Sequence, residues 1–226
     1  MQLADALNHM HSRWYLHRDL KTSNILYDNK TGQVAICDFG MSRKYGSPIE
    51  RYTREVVTLW YRPPELLLGA DTYSYPMDMW SLGCIFAEIL TGGKPLFAGQ
   101  GEADQINRIF TVLGAPTEDK WPGANQLLHF DKVSYRVPSK SRLREYFPSF
   151  AAPGAATAAS GGLGVSYVPP RSILCVTEQC FDLLSNLLHV DPKQRYSSKN
   201  TLDHEWLLED PKPTPVDMMP QFNQKT

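Results

Sequence analysis

Apolar residues fall on helical spacing from the start of the chain. Leu3, Ala6, Leu7 and Met10 share one face, so the chain opens inside an amphipathic helix. Residues 77–90 are apolar nearly all round (Met79, Trp80, Leu82, Ile85, Phe86, Ile89, Leu90), which predicts a helix buried on every side. Ile106, Ile109, Phe110 and Leu113 predict another amphipathic helix, ended by Gly114 and Pro116. Phe181, Leu184, Leu187 and Leu188 predict a third, and residues 201–208 the last. Between the first helix and the buried one lie two short apolar runs, residues 25–27 (ILY) and 34–37 (VAIC). Separated by the turn-forming residues 29–32, they predict a small β-hairpin. The fold class is mainly α with that one hairpin.

Two stretches break the pattern. Residues 41–62 are polar and show little periodicity. Residues 151–172 begin AAPGAATAASGGLGVSYVPP, which carries no charge, and read as a flexible surface insertion within one domain spanning residues 1–208. A Pro-punctuated tail, residues 209–226, is expected to run extended over that domain.

The chain has 226 residues, 42% hydrophobic and 21% charged, with formal net charge −1, enough for one domain with a core. Near-zero charge gives no footing for a nucleic-acid or membrane partner. Neither a signal peptide nor an 18-residue apolar run is visible. Cys37, Cys84, Cys175 and Cys180 lack zinc-site spacing. Cys37 and Cys84 sit in apolar runs and read as buried thiols, so a reducing, intracellular setting is the default expectation. Trp60, Trp80, Trp121 and Trp206 read as core, and the histidines other than His17 show no partner pattern.

The chemistry concentrates in residues 17–24 (HRDLKTSN), followed by DFG at residues 38–40 and PPE at 63–65. Each string alone is an ordinary turn; in this order and spacing they fit a phosphoryl-transfer site. Such a site must orient a nucleophile, hold metal ions and neutralise charge on the transferred group. Asp19 is a carboxylate suited to orient a hydroxyl and accept its proton. Lys21 can place a positive charge beside a phosphate. Asn24 and Asp38 are oxygen donors suited to a hard cation such as Mg²⁺. The spacing D-x-K-x-x-N predicts a loop, because all three side chains must converge.

With DFGMSR (residues 38–43), EVVTLWYRPPELLLG (55–69) and MDMWSLGCIFAEILTG (77–92), these strings resemble the cyclin-dependent protein kinases. Thr22-Ser23, the YGSP at residues 45–48 and the tail through Met219-Pro220 look most like the PITSLRE subgroup. Pro63 stands where many relatives carry Ala, a change also seen in transcription-linked members. The resemblance covers most of residues 1–150 and 175–222. It implies transfer of the ATP γ-phosphate, with Mg²⁺, to Ser or Thr of protein substrates, before Pro. A cyclin-like regulatory subunit and a nuclear or cytoplasmic location are implied as well.

Only 16 residues precede His17. The family carries a whole ATP-gripping lobe there. The expected architecture is therefore the C-terminal lobe only of the α+β kinase fold, with the N-terminal ATP lobe missing. Without a Gly-rich loop and a Lys–Glu pair, this chain alone is expected to transfer little phosphate. Gly162-Leu163-Gly164-Val165 lacks the third glycine of such a loop and reads as linker. Residues 34–37 (VAIC) look like the strand that carries the ATP-lobe lysine, but they abut DFG directly.

The resemblance assigns further roles. Thr53 is the regulatory phosphosite, gripped by Arg18 and Arg43. Thr58 is expected near Asp19 and Lys21. Val56, Val57 and Arg62 form the shelf for a Pro after the target residue. His17 packs under the loop, Asp78 anchors the loop backbone, and Glu65 with Arg195 forms a buried ion pair. A different class of protein, a catalytically silent lobe that binds partners, keeps the same residues and lacks the ATP lobe. The related MAP kinases carry a Thr-x-Tyr pair before the WYR stretch. This chain has Tyr52-Thr53, which fits the cyclin-dependent pattern better.

Overall fold

A helix that is apolar on every face is stable only inside a protein. Residues Pro76–Leu90 occupy that place: Met79, Trp80 and Ala87 have no exposed surface. The computed structural model describes residues 1–44, 59–70, 74–132, 137–148 and 176–221. The predicted insertion at residues 151–172 and Cys175 lie outside the described residues. In chain order the elements are α1 (Gln2–Ser12), β1 (Tyr15–Leu16), β2 (Ile25–Tyr27), β3 (Val34–Ile36) and β4 (Arg43–Lys44). Then come α2 (Pro64–Leu67), α3 (Pro76–Leu90), α4 (Glu102–Leu113), α5 (Leu143–Tyr146), α6 (Glu178–Leu187) and α7 (Ser198–Leu202). No described helix is long and apolar enough to cross a membrane.

α3 is the pillar on which the rest packs. Trp80 stacks on Phe97 with ring centroids 5.8 Å apart. Gly83 lets α6 approach: a Cβ there would lie 2.9 Å from Leu188 Cδ2 and 3.0 Å from Leu187 Cβ. One position near the pillar's end faces outward: Ile89, expected inside, is 60% exposed, while Ala87, Glu88 and Leu90 around it stay buried. α4 buries Ile106, Ile109, Phe110 and Leu113 as its periodicity predicts, and α6 buries Leu184 and Leu187. Each such side chain contributes about 1.5–3 kcal/mol on burial.

The predicted hairpin forms, with Ile25 opposite Ile36 and Tyr27 opposite Val34. Asp28 closes its turn by accepting from the Lys30 amide (2.9 Å) and the Thr31 hydroxyl (2.7 Å). A second antiparallel ladder pairs β1 with β4, Tyr15 opposite Lys44 and Leu16 opposite Arg43. Two-residue strands carry no periodicity, so nothing in the sequence announced it.

Two elements and one side chain differ from their expected form. The buried face of α1 centres on Ala4 and Leu7, because the helix is tied between α7 and the hairpin. Ser198 Oγ donates to Asn8 Oδ1 (3.2 Å), and Gln2 Oε1 accepts from the Val34 amide (2.8 Å). The last predicted helix is divided. A capping box between Ser197 and Asn200 starts α7 early. His204 then caps a separate 3₁₀ turn, Glu205–Leu208, by accepting the Trp206 amide at 3.1 Å. Among the tryptophans read as core, Trp60 is 37% exposed and donates its indole N–H to the Gly99 carbonyl.

The tail folds back onto the hairpin. Its 3₁₀ turn, Val216–Met218, presses on Gly32, whose φ is +70° and whose Cβ, if present, would lie 2.1 Å from the Val216 carbonyl oxygen. Only glycine fits there. Tyr27 also donates its hydroxyl to the Pro220 carbonyl at 2.5 Å.

Candidate active site

The site is built at the open end of the β2–β3 hairpin. Residues 17–24 lead into β2, and Asp38 follows β3. The register continues past the strands: the Cys37 amide donates to the Asn24 carbonyl at 2.9 Å. The pairing thereby brings Asn24 and Asp38, fourteen positions apart in sequence, to one end of the hairpin. Cys37, expected buried, is partly exposed at this edge, since the strand ends there. The Cys84 and Cys180 thiols are pushed up by burial, Cys180 to about 12, and stay protonated.

Asp19, Lys21 and Asn24 converge. Lys21 Nζ lies 2.7 Å from Asp19 Oδ2. Asn24 Nδ2 donates to the Asp19 carbonyl (2.9 Å) and to its Oδ2 (3.2 Å). The 3₁₀ turn Thr22–Asn24 makes this possible by bringing Asn24 back over the loop. Asn24 is buried, with its amide nitrogen committed to Asp19. Among the described residues, its Oδ1 and Asp19 Oδ1 accept nothing.

The loop backbone hangs from Asp78 in the first turn of α3, which is 2% exposed. Asp78 Oδ2 accepts from the His17 amide (2.9 Å) and Oδ1 from the Arg18 amide (2.8 Å). His11, one of the histidines without a partner pattern, lies 2.9 Å from Asp78 Oδ2 through its Nε2. His17 is fully buried beneath the loop. Its Nδ1 accepts the Asp19 amide at 3.4 Å, so its Nε2 carries the proton and donates to the Cys37 carbonyl at 3.1 Å. Its ring meets Phe39 edge-on at 5.3 Å. Arg18 and Asp38 hold left-handed backbones, φ 72° and 61°. Non-glycine residues there cost about 1–3 kcal/mol each unless their surroundings enforce the geometry.

Other residues singled out in the sequence take places around this centre. Arg43 in β4 sits opposite Leu16, two positions before Arg18, and donates to the Ser42 carbonyl at 2.8 Å. Arg62 lies 3.7 Å from Glu102 at the start of α4. Glu65 and Arg195 form a buried two-pronged pair at 2.7 and 2.9 Å. Thr53, Val56, Val57 and Thr58 lie outside the described residues. Two residues the sequence reading missed are Tyr61 and Glu88. Tyr61 donates its hydroxyl to buried Glu88 at 2.6 Å and meets the Thr22 hydroxyl at 2.8 Å. A second acidic residue in the mostly apolar α3, after Asp78, was the available signal for Glu88.

Residues 1–207 match the family described as protein kinase domain. Cyclin-dependent kinase G1 of Arabidopsis thaliana is 45% identical over 227 residues, covering 100% of this chain and 33% of that protein. Cyclin-dependent kinase 11B of Homo sapiens is 42% identical over 226 residues, covering 100% of this chain and 25% of that protein. The chain thus spans about a third or less of the length of these relatives. Among solved structures, the yeast RNA Pol II CTD kinase CTDK-1 complex superimposes with a TM-score of 0.75 at 33% identity. That match covers 95% of this chain and 62% of the other. The chain belongs to the protein kinase domain family, with cyclin-dependent kinases of the G and 11 types among its relatives.

Proposed function

We propose that this chain carries the catalytic centre of a cyclin-dependent-type Ser/Thr kinase. The observation that carries the reading is the convergence of Lys21 and Asn24 on Asp19 at the end of the hairpin that also delivers Asp38. Asp19 is held at Oδ2 by Lys21 and Asn24. Its Oδ1 is left to orient a substrate hydroxyl and take the proton as that oxygen bonds to phosphorus. Lys21 sits where it can move its charge from Asp19 toward an incoming phosphate. Asn24 Oδ1 and the Asp38 carboxylate are hard oxygen donors, and two such donors suit Mg²⁺, which keeps waters and phosphate oxygens as its other ligands. When bound, ATP supplies the phosphoryl group and Mg²⁺ offsets its charge. The names of the relatives support a cyclin-like subunit. The CTD-kinase likeness supports a nuclear, transcription-linked role on protein substrates. Thr53 is the phosphosite of this reading, Arg18 and Arg43 its clamp, Val56, Val57 and Arg62 its substrate shelf, and Thr58 belongs with its catalytic residues.

Labelled phosphate transfer from ATP to paired peptides tests the proposal. A Ser-Pro peptide is expected to exceed its Ser-Ala twin by roughly tenfold or more in kcat/KM. Equal rates for both would remove the Pro-directed reading, and transfer to Tyr alone would remove the Ser/Thr one.

A further inference from the structure

The catalytic loop is held by α3 at two points rather than one. Asp78, in the helix's first turn, holds the loop's entrance through the His17 and Arg18 amides. Ten residues on, Glu88 lies roughly 15 Å further along the same helix. Glu88 reaches the loop's exit through a chain of hydroxyls. Tyr61 Oη lies 2.6 Å from Glu88 Oε2 and 2.8 Å from Thr22 Oγ1.

The direction of this chain follows from its end. As a carboxylate, Glu88 only accepts, so the Tyr61 proton points at it. Tyr61 is buried, and burial, reinforced by Glu88, pushes its phenol up to about 12, so it remains a donor. Its oxygen then has only acceptor capacity left, and the Thr22 hydroxyl must donate to it. Thr22 opens the 3₁₀ turn and, with Ser23, links Lys21 to Asn24, the two residues that close on Asp19. Tyr61 is itself fixed to α3, because Ser81 Oγ donates to its carbonyl at 2.9 Å.

We infer that Thr22 is a positioning residue: its hydroxyl, through Tyr61 and Glu88, sets the Thr22–Asn24 turn and thereby the approach of Lys21 and Asn24 to Asp19. The inference rests on the kinase reading for its catalytic consequence, but not for its structural one. Thr22→Val is the informative variant. It keeps the side chain's shape and leaves Tyr61 donating to Glu88, so no buried donor is orphaned and the chain folds. Tyr61→Phe would strand the Glu88 carboxylate and is the harsher change.

Amide hydrogen exchange on this chain reads the turn directly. Thr22→Val is expected to speed exchange at Asn24, Ile25 and Cys37, whose amides close the turn and the hairpin end, by roughly tenfold. Exchange in α4 and α6 stays as in the parent, and Thr22→Ser restores the slow rates. In the native polypeptide, Thr22→Val lowers kcat by a similar factor at unchanged peptide KM, and Thr22→Ser recovers it. Parent-like exchange at those amides in Thr22→Val overturns the inference, as does a kcat loss that Thr22→Ser fails to rescue. Asp19→Asn separates the two claims. If it leaves turnover untouched, the kinase reading fails while the exchange data still judge Thr22.

Discussion

Arg195→Ala is expected to cost about 3–5 kcal/mol of folding stability, the largest loss from a single side chain in this account. The guanidinium is fully buried and meets both Glu65 oxygens. It also donates to the carbonyls of Pro76 (2.8 Å) and His189 (3.0 Å) and lies over the Trp80 ring at 5.0 Å. Removing it leaves a 4% exposed carboxylate at Glu65 without its counter-charge and takes one donor each from the Pro76 and His189 carbonyls. The loss comes mostly from that stranded charge, so Glu65→Gln combined with Arg195→Met should recover a large part of it. Urea unfolding of parent, single and double variants measures this. A single variant within about 1 kcal/mol of the parent would mean that the pair is a surface-grade contact. The consequence is also spatial: the pair ties the segment after Tyr61 to the turn before α7, and Tyr61 is the middle link of the loop's second anchor.

Asp78→Asn is expected to reduce phosphoryl transfer by about 100-fold, although it changes a single atom type. Both carboxylate oxygens accept from backbone amides, Oδ2 from His17 and Oδ1 from Arg18, and Oδ2 also faces His11 Nε2. An asparagine has one oxygen to offer. Whichever way it turns, its NH₂ group meets a backbone N–H, and one amide loses its acceptor. The expected stability cost is about 1–3 kcal/mol. The catalytic cost is greater, because the left-handed Arg18 backbone immediately before Asp19 is held by one of these bonds. Steady-state kinetics and unfolding on the same preparation separate the two. A variant that keeps most of its turnover would show that the loop's entrance needs no anchor.

Where local pattern decides structure, the sequence was legible. The apolar run of α3, the stripe of α4 and the β2–β3 hairpin could be read directly. The closing of Lys21 and Asn24 on Asp19 follows from three residues within one short loop. What the sequence hid are contacts between residues far apart along the chain. His11 and Asp78 are 67 positions apart, Thr22 and Tyr61 39, and Tyr61 and Glu88 27. No periodicity encodes such pairs. The β1–β4 ladder escaped notice because two residues cannot alternate visibly. The division of the last predicted helix turned on a histidine ring acting as a cap. The displaced face of α1 came from its neighbours α7 and β3 rather than from its own stripe.

The most direct measurement is transfer of labelled γ-phosphate from ATP to a protein substrate by the native polypeptide and by its Asp19→Asn variant. Label is expected on Ser or Thr with the parent, with a fall of about 10²–10⁴ in kcat for the variant while its fold and peptide binding persist. Equal transfer by parent and variant would contradict it, because Asp19 would then not be the group that receives the hydroxyl proton.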